Sequence, residues 1–358
     1  MRIVRLKLQN FRNYKNAEFS FSPQINVFWG NNGQGKTNLL EAIHVLSTGR
    51  SFRTHHLQDM IMQGETYFYI EAHFIKDDIV QSLKIYYDNT ARKVIYNETV
   101  YPHFSSLLGV LPSVLLSPDD LVLINGSPAE RRRFLDLHIA QIDPLYLFYL
   151  SRYYKAMKQR NELLRCQSSE TLNAWEQVMA PAASYLMTKR KQATELLQES
   201  CAQWMKLFSQ GEDLHLTYNF FLQGSKEEEF QSKLSAHWQN TRHKEMQYGT
   251  TTTGPHRDDI SILHCGKEAR HFSSEGQKRS CIASLRFAQW EHMKKRTETS
   301  PLLAIDDFGI QLDTERQNQL KEQIAHFGQV FLTSPHPIAP ISGNTAFQAF
   351  HVQQGQII

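Results

Sequence analysis

The residues best suited to chemistry are Gly30-Asn31-Asn32-Gly33-Gln34-Gly35-Lys36-Thr37, which match GxxxxGK[ST]. A short apolar run, Ile25–Trp29, precedes them, and Asn38 to Ile43 continue as a helical pattern. This strand, loop and helix order lets glycine-rich backbone turn its N–H groups around an anionic phosphate, with the positive helix N-terminus behind it. Lys36 is expected to bind β- and γ-phosphates and the Thr37 hydroxyl to ligate magnesium, which makes ATP the expected ligand. Far along the chain, Pro301-Leu302-Leu303-Ala304-Ile305 reads as an apolar strand ending in two acids. Asp306 is expected to hold magnesium and Asp307 to polarise an attacking water. Ser273-Ser274-Glu275-Gly276-Gln277 precedes another helical pattern, where Ser274 and Gly276 offer hydroxyl and amide donors to a phosphate.

Those groups require a fold that returns to itself. The first hundred residues read mainly as strands: Val4 to Leu8, Ala17 to Phe21, Ile25 to Trp29, and an alternation from Tyr67 to Phe74. Ser127-Pro128-Ala129-Glu130 predicts a helix start with an N-cap, a first-position proline and a capping-box acid. Asp143-Pro144 repeats the start signal before a helical run to about Arg165. A second run fills Glu170 to Ser209, where Pro181 marks a kink or break. Strand patterns return at Asp259 to His264, Leu302 to Ile305 and Val330 to Thr333. The fold class is therefore α/β, a mixed sheet plus an α/β layer assembled from residues 1–124 and 251–358. Residues 125–250 form a mostly helical insertion lobe.

Composition excludes several other classes. Of 358 residues, 41% are hydrophobic and 21% charged, so the chain holds enough apolar surface for a large core. Lysine and arginine (39) barely exceed aspartate and glutamate (36), so any anion-binding surface must be local. Cys166, Cys201, Cys265 and Cys281 show neither zinc-ligand spacing nor a disulfide framework, which fits a reducing compartment. No window approaches the roughly 20 apolar residues of a membrane span. A cytoplasmic protein is expected.

Several stretches are more discriminating than the phosphate loop. They are LQNFRNY (8–14), GRSFRT (49–54), LSPDDLVLINGSPAERRRFLD (116–136), GPHRDD (254–259) and SEGQKR (274–279). Together with the order of the phosphate loop and the acid pair, they make the chain resemble the ATPase heads of the ABC, SMC and Rad50 superfamily. Within it, the chain is similar to the RecF family of bacterial recombination mediators. The resemblance implies an ABC-type head without a long coiled-coil arm, and a homodimer that sandwiches two ATP molecules. It places Ser274 and Gly276 on the γ-phosphate held by the partner's loop, Asp313 in the loop linking the two sites, and Arg12 near the base or ribose. It further implies weak, DNA-stimulated ATP hydrolysis, binding to gapped or single-/double-stranded junction DNA, and support of recombinase loading with RecO and RecR. DNA replication, repair of DNA damage and the SOS response are the processes implied.

The chain departs from that family at three places. Glu275 stands where glutamine is usual, Ile310-Gln311 replaces Ser-Glu, and Thr333-Ser334-Pro335-His336 replaces paired threonines. His336 reads either as a γ-phosphate switch or as an exposed loop histidine. Basic clusters at Arg131–Arg133, across Arg152, Lys155, Lys158, Arg160 and Arg165, at Lys189–Lys191 and at Lys294–Arg296 are individually expected as solvated helix surface. Arg53 reads equally as a coupler of nucleotide to DNA or as half of a salt bridge. Two other functions stay open: a transporter's nucleotide-binding subunit, and a nucleotide-regulated DNA clamp with negligible turnover. The long separation between Lys36 and Gly276 argues against the first.

Overall fold

A computed structural model describes residues 1–209, 211–308, 314–340 and 346–358. The chain divides into two compact units, one of Met1–Leu121, Gln203–Gly211 and Ser274–Ile358, the other of Val122–Ala202 and Glu212–Ser273.

In the first unit, one sheet runs Gln356–Ile357, Phe347–Gln353, Ile25–Trp29, Val330–Ser334, Leu302–Ile305, Ser113–Leu116. Its last five strands pair in parallel, and only the Gln356–Ile357 edge is antiparallel. The runs INVFW, LLAI, VFLTS and SVLL are almost wholly buried, as strands covered on both faces must be. A second, antiparallel sheet runs Tyr14–Ser20, Arg2–Phe11, Tyr67–Lys76, Ile79–Asp88, Arg92–Tyr96, Thr99–Tyr101. Its strands alternate, burying Phe68, Ile70, Ala72 and Phe74 while their neighbours stay partly exposed.

A phenylalanine cluster joins the two sheets. Phe28 stacks on Phe350 at 5.3 Å, and Phe21 meets Phe331 edge-on at 5.0 Å. Buried Gln329, just before the Val330–Ser334 strand, reaches the antiparallel sheet and the loop after it: Oε1 accepts from the Ile3 N–H at 2.7 Å, and Nε2 donates to the carbonyls of Ile3 and Ser22 at 2.8 Å each.

The second unit is mainly helical, with Pro128–Ala140, Tyr146–Arg165 and Phe230–Tyr248 alongside a small sheet. That sheet corrects the expected boundary at residue 250. Asp259–His264 pairs antiparallel with Leu214–Asn219, so residues up to Ser273 belong with this unit. Of the kink or break expected at Pro181, the break is absent, because the helix Leu172–Phe208 continues through it. Met179, Ala180, Ala182, Ala183 and Leu186 are all buried around the proline, and this packing outweighs one missing hydrogen bond. Ser127 occupies the N-cap position before Pro128, but its side chain makes no cap bond and the expected box is not formed. Asp143 lies two residues ahead of the assigned N-cap, Leu145, yet its Oδ1 accepts from the Leu145 N–H at 3.1 Å as the start signal implies; the carboxylate also binds Tyr185 Oη at 2.7 Å and Lys189 Nζ at 2.8 Å.

Two arginines from the expected solvated stripes are fully buried, which the helical pattern alone had hidden. Arg160 donates to Glu176 Oε1 at 3.0 Å and Thr251 Oγ1 at 2.8 Å, and lies 2.7 Å from Glu245. Arg190 binds Asp136 and the Pro255 carbonyl. The GPHRDD segment is thus architectural. Besides Pro255, Asp259 pairs with Arg131 at 2.7 Å, and His256 meets Tyr153 Oη at 2.6 Å. Burial pushes the His256 pKa down to about 4, so its ring is neutral at pH 7. Arg160→Met leaves Glu176 and Glu245 with a buried partner removed. We expect it to destabilise this unit by about 3–5 kcal/mol, read as a lowered urea midpoint.

Candidate nucleotide-binding site

The phosphate loop leaves the carboxyl end of a central parallel strand, the usual place for ligands in α/β sheets. Two glycines in it are obligatory for steric reasons. Gly30 has φ 146°, and a Cβ there would lie 2.4 Å from the Val352 carbonyl oxygen. Gly35 has φ 112°, and its Cβ would meet Asn13 Nδ2 at 2.5 Å. The Asn13 amide donates to the Gln34 carbonyl at 2.9 Å, and Tyr14 Oη donates to the Gly35 carbonyl at 3.0 Å. From the other end of the chain, the Gly355 N–H donates to the Gln34 carbonyl at 3.0 Å and the Gln354 N–H to Gln34 Oε1 at 2.7 Å. The loop is therefore held on both sides by hairpins. Gln34 belongs to that clamp, while Asn31 and Asn32 form the exposed rim with Gly33.

Lys36 opens the helix Lys36–Thr48 and is 5% exposed. Its Nζ donates to the carbonyls of Gly30 at 2.7 Å and Asn31 at 2.9 Å. Burial lowers its pKa, and the nearby charges of Asp307 and Asp306 oppose that shift. Thr37 Oγ1 donates to Asp306 Oδ1 at 2.9 Å, closing a loop of 269 residues. Asp306 is 4% exposed; its pKa is raised by desolvation and partly restored by hydrogen bonds from Thr333 and Thr37. Asp307 sits in the left-handed region at φ 52°, which aspartate tolerates better than most residues.

A hydroxyl and a carboxylate oxygen at hydrogen-bond distance form a hard-oxygen pair. It suits magnesium, which takes one or two protein ligands and completes its shell with phosphate and water. Among the described residues there is no cluster of three or more His, Cys, Asp or Glu side chains able to cage a metal.

Ser274 caps the helix Glu275–Thr297 with a complete capping box: its Oγ accepts from the Gln277 N–H, and Gln277 Oε1 accepts from the Ser274 N–H at 2.9 Å. This corner is exposed, and a Cβ at Gly276 would have nothing within 4 Å. Glu275 points along the helix toward Arg279, 3.8 Å away. The same helix is anchored by Arg286, which forms a forked pair with Asp120 of the SPDDL segment.

Comparison with known proteins decides the family. The RecF/RecN/SMC N terminal domain family matches residues 2–357. The DNA replication and repair protein RecF of Protochlamydia amoebophila is 44% identical over 340 residues, covering 94% of this chain and 95% of its own. The chain belongs to the RecF family. The RecF of Chlamydia caviae is 38% identical across the whole chain and 98% of its own length. A solved structure of the recombination mediator protein RecF-ATP in the RecFOR pathway superimposes with a TM-score of 0.90 at 27% identity. The match covers 99% of this chain and 96% of that one. The ABC-type head expected from the sequence is thus the fold observed, and these RecF relatives give no support to a transporter subunit.

Within this RecF-family fold, Arg12 takes a position that the sequence did not foretell. Its guanidinium forks onto buried Glu41 at 2.8 and 2.6 Å, and donates to the Asp59 carbonyl at 2.6 Å. Arg53 lies 3.7 Å from the same carboxylate and donates to Asn38 Oδ1 at 2.8 Å, so its structural salt bridge is present. His336 is exposed beyond the Val330–Ser334 strand. Asp313, Ile310 and Gln311 lie outside the described residues. Sequence reasoning missed Glu41, Asn13 and Thr333. The first sits one helical turn beyond Thr37, and that spacing is the signal that was available.

Among the expected basic clusters, Arg131, Lys189 and Lys191 are committed to Asp259, Asp143 and Glu227. Arg152, Lys155, Lys158, Lys294 and Lys295 stay exposed.

Proposed function

We propose that this protein is a DNA replication and repair ATPase of the RecFOR type, which closes as a homodimer on DNA when ATP is bound. The observation that carries this is the Thr37–Asp306 bond beneath a preformed phosphate loop, since it brings the cation-binding pair and the lysine to one place. Lys36 exchanges its bonds to Gly30 and Asn31 for phosphate oxygens. Thr37 and Asp306 hold magnesium, which when bound offsets the charge developing on the phosphates. Asp307 orients the attacking water and accepts its proton. Ser274 and the amides near Gly276, exposed at a helix N-terminus, complete the γ-phosphate site of the partner subunit, and Asp313 links the two sites. Arg12, held by its fork onto Glu41, contacts the nucleotide near its base or ribose.

ATP then lies within the interface, so dimer affinity depends on nucleotide. DNA is held through phosphate contacts that are salt-dependent and tolerant of sequence. Gapped or junction DNA is the substrate form proposed, and RecR and RecO are the proposed partners in recombinase loading and SOS induction. Among the described residues no helix is long and apolar enough to cross a membrane; the cytoplasm is the proposed location.

Phosphate release with and without gapped DNA tests the enzymatic half. We expect slow turnover that rises several-fold with DNA and falls as salt increases. No release under either condition contradicts hydrolysis and leaves the static clamp.

A further inference from the structure

Thr333 is fully buried at the penultimate position of the Val330–Ser334 strand, and in the sequence it stands out only as the first residue of the Thr333-Ser334-Pro335-His336 departure from paired threonines. Parallel pairing sets Leu332 opposite Ile305, so register carries the next residue, Thr333, beside the acid pair that ends the neighbouring strand. Its Oγ1 donates to Asp306 Oδ1 at 2.6 Å and accepts from the Asp307 backbone N–H at 2.7 Å. A hydroxyl has one proton, so donation to the carboxylate leaves only lone pairs for the amide. The two bonds therefore fix each other's direction.

Asp306 Oδ1 accepts a second hydroxyl, that of Thr37, and among the described residues no hydrogen bond is made to Oδ2. If Thr37 turns toward a cation, Thr333 becomes the side-chain donor that still orients this carboxylate. We infer that Thr333 is a positioning residue for hydrolysis, holding the Asp306 carboxylate and the Asp307 backbone in a single arrangement. The inference rests on the ATPase function proposed above. A purely structural role would need only the β-branched shape, because backbone pairing already fixes the strand register.

Thr333→Val keeps that shape and removes the hydroxyl, whereas Thr333→Ser keeps the hydroxyl and removes the methyl. On the full chain, Thr333→Val is expected to lower kcat about 10- to 100-fold with KM for ATP within about 3-fold, the signature of lost alignment rather than lost binding. Binding of a fluorescent ATP analogue in EDTA should stay at the wild-type value, while the magnesium concentration needed to saturate binding rises several-fold. Thr333→Ser should restore both readouts to near wild type.

Wild-type kcat and magnesium dependence in Thr333→Val would overturn the inference. So would a Thr333→Ser variant as impaired as the valine variant. Should wild type show no hydrolysis at all, the ATPase function fails, and the magnesium titration of analogue binding decides Thr333 alone: identical curves for wild type and Thr333→Val overturn it. Urea unfolding accompanies each variant. Where the valine variant does not fold, Thr333→Cys with its weak donor replaces it, and an unchanged magnesium curve is again the contrary result.

Discussion

Lys36→Met is expected to lose ATP-dependent association while keeping the fold. Among the described residues the ammonium donates to loop carbonyls, those of Gly30 and Asn31, rather than to a carboxylate. Its charge is available to a triphosphate at the cost of two neutral-acceptor bonds. Methionine fills nearly the same volume without the charge, so the two carbonyls lose donors but little packing changes. Hydrogen bonds to charged groups contribute about 1.5–3 kcal/mol each, so ATP affinity should fall at least about 10- to 100-fold. A fluorescent-nucleotide titration beside urea unfolding reads both halves. Unaltered affinity would remove Lys36 from the site.

The second large effect concerns turnover without loss of binding. Asp307→Asn preserves the shape, the backbone N–H bond to Thr333 and a residue type that accepts the left-handed φ of 52°. It removes the oxygen able to accept a proton from water. General-base removal typically costs about 10²- to 10⁴-fold in rate, and we expect phosphate release to fall within that range. ATP affinity should hold or rise, because a negative charge near the triphosphate is gone. Hydrolysis at the wild-type rate would reassign the base.

The phosphate loop was legible in the sequence because backbone sterics dictate its residues. Gly30 and Gly35 sit at φ values and contacts that no side chain fits, and the apolar run before them has to be a buried strand. The acid pair was legible for a similar reason, a short apolar strand ending abruptly in charge. Thr333 was legible only as part of a departure from paired threonines, since the role inferred for it follows from the register of strands far apart in sequence, and a threonine in a strand is ordinary. Arg160 and Arg190 read as surface charges for a related reason. Helical spacing shows which side of a helix a residue takes, but only the carboxylates of Glu176, Glu245 and Asp136, supplied by other segments, show that the side is interior. The lobe boundary slipped past residue 250 because a two-strand pairing, not composition, ties Asp259–His264 to Leu214–Asn219.

Nucleotide as the bond between two copies is the central claim, and the mass of the Asp307→Asn chain in solution tests it most directly. Sedimentation should show twice the chain mass with magnesium and ATP, and the single chain with ADP or no nucleotide. A single chain at saturating ATP, or a dimer indifferent to nucleotide, would contradict it.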